Sequence, residues 1–146
     1  MKTIILIIFI LVLQTSFAKE YIVHAIDVMD GHSMVFKPSF LHIEIGDSVN
    51  FIPLKGHGHQ PQMIFGPEGQ SPWRADKGKP IKVKFEKEGI HIFNCKFHFV
   101  MGMAGIIQVG KATNYQEAKD FIKNYKSKIA IKKNRIDEIF NKIIIP

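Results

Sequence analysis

Cys95-Lys96-Phe97-His98-Phe99-Val100-Met101-Gly102-Met103 is the stretch that orders the reading of this chain, and it holds the protein's one cysteine. A thiolate, an imidazole and two thioethers fall within nine residues, downstream of a histidine-rich turn, Gly56-His57-Gly58-His59. Two imidazoles and a thiolate in a trigonal plane, with a weak axial thioether, form the donor set of a blue-copper electron-transfer site.

The first 18 residues are set apart from the fold. Lys2 provides a short positive start, Ile4 to Leu13 is apolar, and Ser16-Phe17-Ala18 places small residues where a signal peptidase reads. Cleavage after Ala18 is expected. The apolar run is shorter than the roughly 20 residues that span a bilayer, and no stop-transfer pattern follows, so a retained anchor is the weaker reading. The expected organisation is a signal peptide over 1–18, a β domain over 19–110 and a helical extension of that domain over 111–146.

Export sharpens the meaning of the lone cysteine. In an oxidising compartment cysteines normally pair, so a single thiol is an intermolecular bridge, a reactive group or a metal ligand. A buried structural cysteine is the plain alternative. That alternative leaves unexplained why a histidine and a methionine follow three and eight residues on.

The formal charge is +7, and removing Lys2, the one charged side chain in residues 1–18, leaves +6. A basic protein is drawn to acidic surfaces, and export argues against nucleic acid as that surface. After Gly110 there are nine Lys or Arg against four Asp or Glu, which is first of all the solvated face of helices.

From Tyr21 to Val109 the pattern is that of strands. Leu41, Ile43 and Ile45 alternate with His42 and Glu44, and Ile81, Val83 and Phe85 alternate with Lys82 and Lys84, so each segment is expected to bury one face. Gly or Pro punctuates the chain at short intervals, as in a β-sandwich or barrel. After Gly110 the period changes. Ala118, Phe121, Ile122 and Tyr125, then Ile136, Ile139, Phe140 and Ile143, predict two amphipathic helices docked on the sandwich. Asn114 or Thr113 is expected to cap the first, with Gln116 or Glu117 completing a capping box. A membrane-surface role for the basic second helix is the lesser alternative.

For the metal, Cys95 is the strong equatorial donor, His98 the second and Met103 the weak axial ligand. The other imidazole must come from elsewhere, and His57 and His59 are the candidates. Met101 competes with Met103, or simply packs. His24, His32, His42 and His91 lie on or between strands away from the motif and read as surface or hydrogen-bonded side chains.

Several motifs resemble those of the pseudoazurins, within the cupredoxin family: Met34-Val-Phe-Lys-Pro38, Gly46-Asp-Ser-Val-Asn-Phe-Ile-Pro53, Lys55-Gly56, the loop Cys95-x2-His98-x2-Met101-Gly-Met103-x-Gly105, and Ile107-Gln-Val-Gly110. Two C-terminal helices belong to the same resemblance. It implies a mainly β fold, a Greek-key cupredoxin sandwich followed by two packed helices. The register His59-Gln-Pro-Gln-Met-Ile64 makes His59 rather than His57 the upstream ligand, so the implied set is His59, Cys95, His98 and Met103 around one type 1 copper. Gln60 stands where the family usually has Asn, and Phe97, Phe99 and Val100 replace smaller or less apolar residues, which should make the rim around His98 more apolar.

The resemblance further implies a monomeric periplasmic electron carrier, working between redox proteins such as a copper nitrite reductase or c-type cytochromes. Lys55, Lys77, Lys79 and Lys96 are the lysines placed to steer acidic docking patches toward His98. No nucleophile with its base, paired carboxylates or second metal cluster stands out, so no enzymatic activity is expected. The rival class is a periplasmic copper-trafficking protein, which histidines and methionines would also suit. A copper-free interaction module is the remaining possibility.

Overall fold

The computed structural model describes residues 17–29, 31–54 and 58–145. The signal-peptide expectation covers residues 1–18, of which 1–16 lie outside the described residues, as do Lys55 and His57.

Among the described residues, eight strands form two four-stranded sheets. The first has the order β2 (His32–Lys37), β1 (Glu20–Met29), β4 (Ser48–Pro53), β6 (Ile81–Lys84); the second has β3 (Phe40–Ile43), β8 (Ala104–Val109), β7 (Gly89–Cys95), β5 (Pro61–Phe65). Pairs β1–β4 and β3–β8 are parallel, and the other pairs are antiparallel. Alternation drives the pairing: in β4 Val49, Phe51 and Pro53 are buried while Ser48, Asn50 and Ile52 are less so. The buried rows of both sheets meet in one core that contains Phe36, Phe51, Phe93, Cys95 and Met103.

β7 and β8 are buried along their whole length. Their second face is covered by α1 (Tyr115–Tyr125) and α2 (Arg135–Phe140), so Ile90, Ile92, Ala104 and Ile106 pack with Ala118, Ile122, Ile136 and Ile139. Burying one such aliphatic side chain is worth about 1.5–3 kcal/mol, which is why a short helix such as α2 is held at all. The mainly β sandwich with two packed helices is therefore the observed fold.

Three local expectations are corrected. Ile45 does not continue the dry face of its strand: β3 ends at Ile43, and Ile45 sits 55% exposed at the Gly46-Asp47 turn. The helix capping box does not form. Asn114 is the residue before α1, but its side-chain oxygen accepts from Ile90 N–H at 2.7 Å and its amide donates to Ile90 O at 3.1 Å, while Thr113 Oγ1 donates to Glu88 O at 3.2 Å. The reason lies in the sheet. β5 pairs with β7 only from Ile92 onward, so Ile90 has no strand partner on that edge and Asn114 supplies one. Finally, α2 stops at Phe140, before Ile143. The chain leaves the helix so that Ile144 can exchange two hydrogen bonds with the Gln108 amide on β8, each 2.9 Å, and Ile143 is buried without being helical.

Candidate metal centre

The two ligand segments meet because β5 and β7 are paired. Pro61 is opposite Cys95, which brings the residues preceding β5 to the end of β7. Lys96 N–H donates to Gln60 O at 3.0 Å, and Gln60 N–H donates to Cys95 Sγ at 3.4 Å. Gln60 thus joins the two loops through its backbone. Its side chain donates to Ala75 O at 2.8 Å and holds the neighbouring 74–78 segment, while Gly78 N–H donates to His59 O at 2.8 Å.

After Cys95 the chain turns tightly. His98 N–H donates to Cys95 O at 3.2 Å, residues Phe99–Met101 form one 3-10 turn, and Gly102 reverses the chain with φ 74°. Gly102 is required there: a Cβ would lie 3.0 Å from Lys132 O in a backbone conformation that L side chains rarely adopt. Cys95 N–H then donates to Met103 O at 3.1 Å, and Asn94 pairs with Ala104, so the loop closes as a hairpin.

Three donors converge. His98 Nδ1 is 3.2 Å from His59 Nδ1 and 3.5 Å from Cys95 Sγ, and His59 Nδ1 is 3.8 Å from Cys95 Sγ. A point equidistant from all three lies about 2.0 Å from each, close to the length of a metal–nitrogen bond. Among the described residues this is the one grouping of His, Cys, Asp and Glu that can hold a metal ion. His59 and Cys95 are fully buried, whereas His98 is half-buried, with its pKa drawn below the ordinary histidine value by desolvation.

A family model for copper-binding proteins of the plastocyanin/azurin family matches residues 23–110. The chain belongs to that family. This cupredoxin is 32% identical over 127 residues to the pseudoazurin of Methylorubrum extorquens, covering 86% of this chain and 83% of the relative. It is 32% identical over 103 residues to that of Paracoccus pantotrophus, covering 70% and 71%. The crystal structure of native pseudoazurin from Hyphomicrobium denitrificans superposes with a TM-score of 0.75 at 35% identity, covering 86% of this chain and 98% of that one.

His59, Cys95 and His98 fit a type 1 copper site, and together with the pseudoazurin relatives they point to a blue-copper electron carrier. Met103 is fully buried and shares the core with Cys95; Met101 is half-buried in the 3-10 turn. Phe97 and Val100 are exposed beside His98, at 45% and 38%, but Phe99 turns inward and packs against the helix-covered core. Lys77 and Lys96 hold their ammonium groups 5.2 and 5.7 Å from the centre of the Phe97 ring. Lys79 instead lies 3.7 Å from Asp76.

Sequence reasoning missed two contributors. Asp27 of β1 places Oδ1 2.8 Å from His59 Nε2. An acid between Ile26 and Val28, near the end of β1, was the available signal. Arg135 of α2 donates to Met34 O at 2.9 Å and to Gly102 O and Ser33 O, each at 3.3 Å, tying the ligand loop to β2. An arginine opening a short helix carries no comparable signal.

Proposed function

We propose that this cupredoxin is a periplasmic carrier of single electrons, exported by cleavage after Ala18, with 19–110 as the copper-binding sandwich and 111–146 as its helical extension. His59, Cys95 and His98 would hold copper, with Met103 as its fourth and weakest ligand. The burial of Met103 beside Cys95, against the outward position of Met101, supports that choice.

Bound copper supplies a one-electron couple whose two oxidation states tolerate the same trigonal donor set. The chain's contribution is rigidity and access. Strand pairing and the closed 95–103 hairpin hold the donors in place, so little rearrangement accompanies a change of charge. His98, the donor nearest solvent, is the exit for the electron. Exposed Phe97 and Val100 make an apolar contact around it, and Lys77 and Lys96 give that contact a positive border. A redox protein with an acidic patch, of the copper nitrite reductase or cytochrome c kind, is the partner this surface suits. The carrier works as a monomer, and contacts are brief because it must leave after each transfer.

The observation that carries this reading is the convergence of two imidazole nitrogens and one cysteine sulfur in a triangle with two buried corners and one half-buried one. Its test is the visible spectrum of residues 19–146 loaded with Cu(II), with Cys95→Ser as control. An intense thiolate-to-copper band that bleaches reversibly on reduction, and vanishes in the variant, is expected. Absence of the band, with copper held only as Cu(I) and passed readily to a chelator, would sink the carrier reading in favour of copper delivery.

A further inference from the structure

We propose that Asp27 is a positioning residue of the metal centre, its carboxylate holding His59 in the tautomer that offers Nδ1 to copper and its charge favouring the oxidised metal. The inference rests on the copper reading above and concerns a residue outside the ligand set.

The argument begins with the strand. Val23 and Ala25 of β1 are fully buried and point into the core between the sheets. Asp27 continues that inward row. β4 ends at Pro53, opposite Ala25, so the row runs past the end of β4 toward the segment that carries His59. A carboxylate in this position, with its side chain 23% exposed, is costly unless something compensates its charge.

His59 faces it at 2.8 Å. Its ring is fully buried, and its two nitrogens have opposite surroundings: Nε2 is 2.8 Å from Asp27 Oδ1, while Nδ1 is a corner of the donor triangle. A neutral imidazole carries one proton. Placed on Nε2, that proton lies on the side of the carboxylate, 2.8 Å between heavy atoms though off the line of a hydrogen bond, and leaves a lone pair on Nδ1 facing the other two donors. Placed on Nδ1, it would block the metal position and set the Nε2 lone pair against the carboxylate. Asp27 therefore favours the metal-binding tautomer through its charge, the role carboxylates play behind metal-bound histidines generally.

The charge has a second effect. Cu(II) and Cu(I) differ by one unit of charge, so a partly desolvated anion behind a ligand stabilises the oxidised state more and lowers the reduction potential. Asp27→Asn keeps the shape and an acceptor oxygen but removes the charge, which separates this effect from simple packing.

The experiment compares wild type, Asp27→Asn, Asp27→Ala and Glu117→Gln, the last removing an equal charge from the exposed face of α1. Two readouts are taken: the reduction potential of the copper-loaded proteins, and the tautomer of His59 by nitrogen-15 imidazole NMR of the metal-free ones. In Asp27→Asn the blue band is expected to remain while Cu(II) affinity falls about tenfold relative to Cu(I). That change corresponds to a rise of about 59 mV for a one-electron couple. Glu117→Gln is expected to match wild type. His59 is expected to carry its proton on Nε2 in wild type and to populate both tautomers in Asp27→Ala. A potential in Asp27→Asn equal to that of Glu117→Gln overturns the inference, as does a His59 proton on Nδ1 in wild type. Should Asp27→Ala fail to fold, the Asp27→Asn potential and the wild-type tautomer still decide. A wild type without a blue band would defeat the copper reading instead, and the metal-free tautomer would then decide the role of Asp27 alone.

Discussion

The side-chain amide of Asn94 donates to the Tyr125 hydroxyl at 2.9 Å, joining the residue before Cys95 to the last residue of α1. Asn94 Oδ1 in turn accepts from Gln62 Nε2 at 3.1 Å, so β5, β7 and the helix share one polar chain. Burial of the phenol raises its pKa; the Asn94 hydrogen bond opposes that shift and the nearby Cys95 adds to it. Tyr125→Phe would strand the Asn94 amide in the interior. A loss of about 1–2 kcal/mol is expected in urea unfolding, with the copper band retained because the ligands themselves are untouched.

Arg135 should matter more than its position on a short helix suggests. Its guanidinium spans three carbonyls on two segments, one of them in the ligand loop. Arg135→Ala is expected to cost about 2 kcal/mol, and Arg135→Lys to recover little of it, since a point charge cannot bridge that fork of acceptors. Unfolding midpoints of the two variants check the claim; full recovery by lysine would contradict it.

Acid sensitivity has a source away from the metal. His91 is 2% exposed, and burial pulls its pKa down to about 4, against the opposing effect of its Nε2–H donating to Lys87 O at 2.9 Å. Between about pH 6.5 and 4 the unfolded chain takes up a proton that the folded one does not, so stability falls as pH falls through this window. The full effect is up to about 3 kcal/mol. Urea midpoints of the metal-free protein should decline over that range, and His91→Gln should flatten the decline.

Exchange of the two methionines tests the axial assignment. Met103→Leu is expected to shift both the reduction potential and the visible spectrum, because the axial donor tunes both. Met101→Leu should leave the spectrum as it is. The reverse pattern would move the axial role to Met101.

Much of the site is legible in the sequence because it is local. Cys95, His98 and Met103 lie on one hairpin whose backbone bonds close within nine residues, and their spacing is a property of that segment alone. The helices are legible for a similar reason, since Ala118, Ile122, Ile136 and Ile139 repeat at the helical period whatever they pack against. His59 needs more. Residue type alone does not separate it from His57; the family register ending at Ile64 favours it, and its place in the triangle follows from Pro61 pairing with Cys95.

Where two distant segments compete for one group, tertiary structure decides the outcome. Asn114 has the sequence position of a helix cap and serves instead as the missing strand partner of Ile90; the helical period of α2 extends to Ile143 and gives way to the Gln108 amide. Asp27 is the clearest case. By itself the sequence determined a β-sandwich with a copper-binding hairpin, because period-two burial and a contiguous donor set are written in neighbouring residues. Only the packing of β1 against the segment after β4 decided that an acid 32 positions away would stand behind His59, since the matching of a partly buried carboxylate with a buried imidazole is a demand of the interior and leaves no periodic trace along the chain.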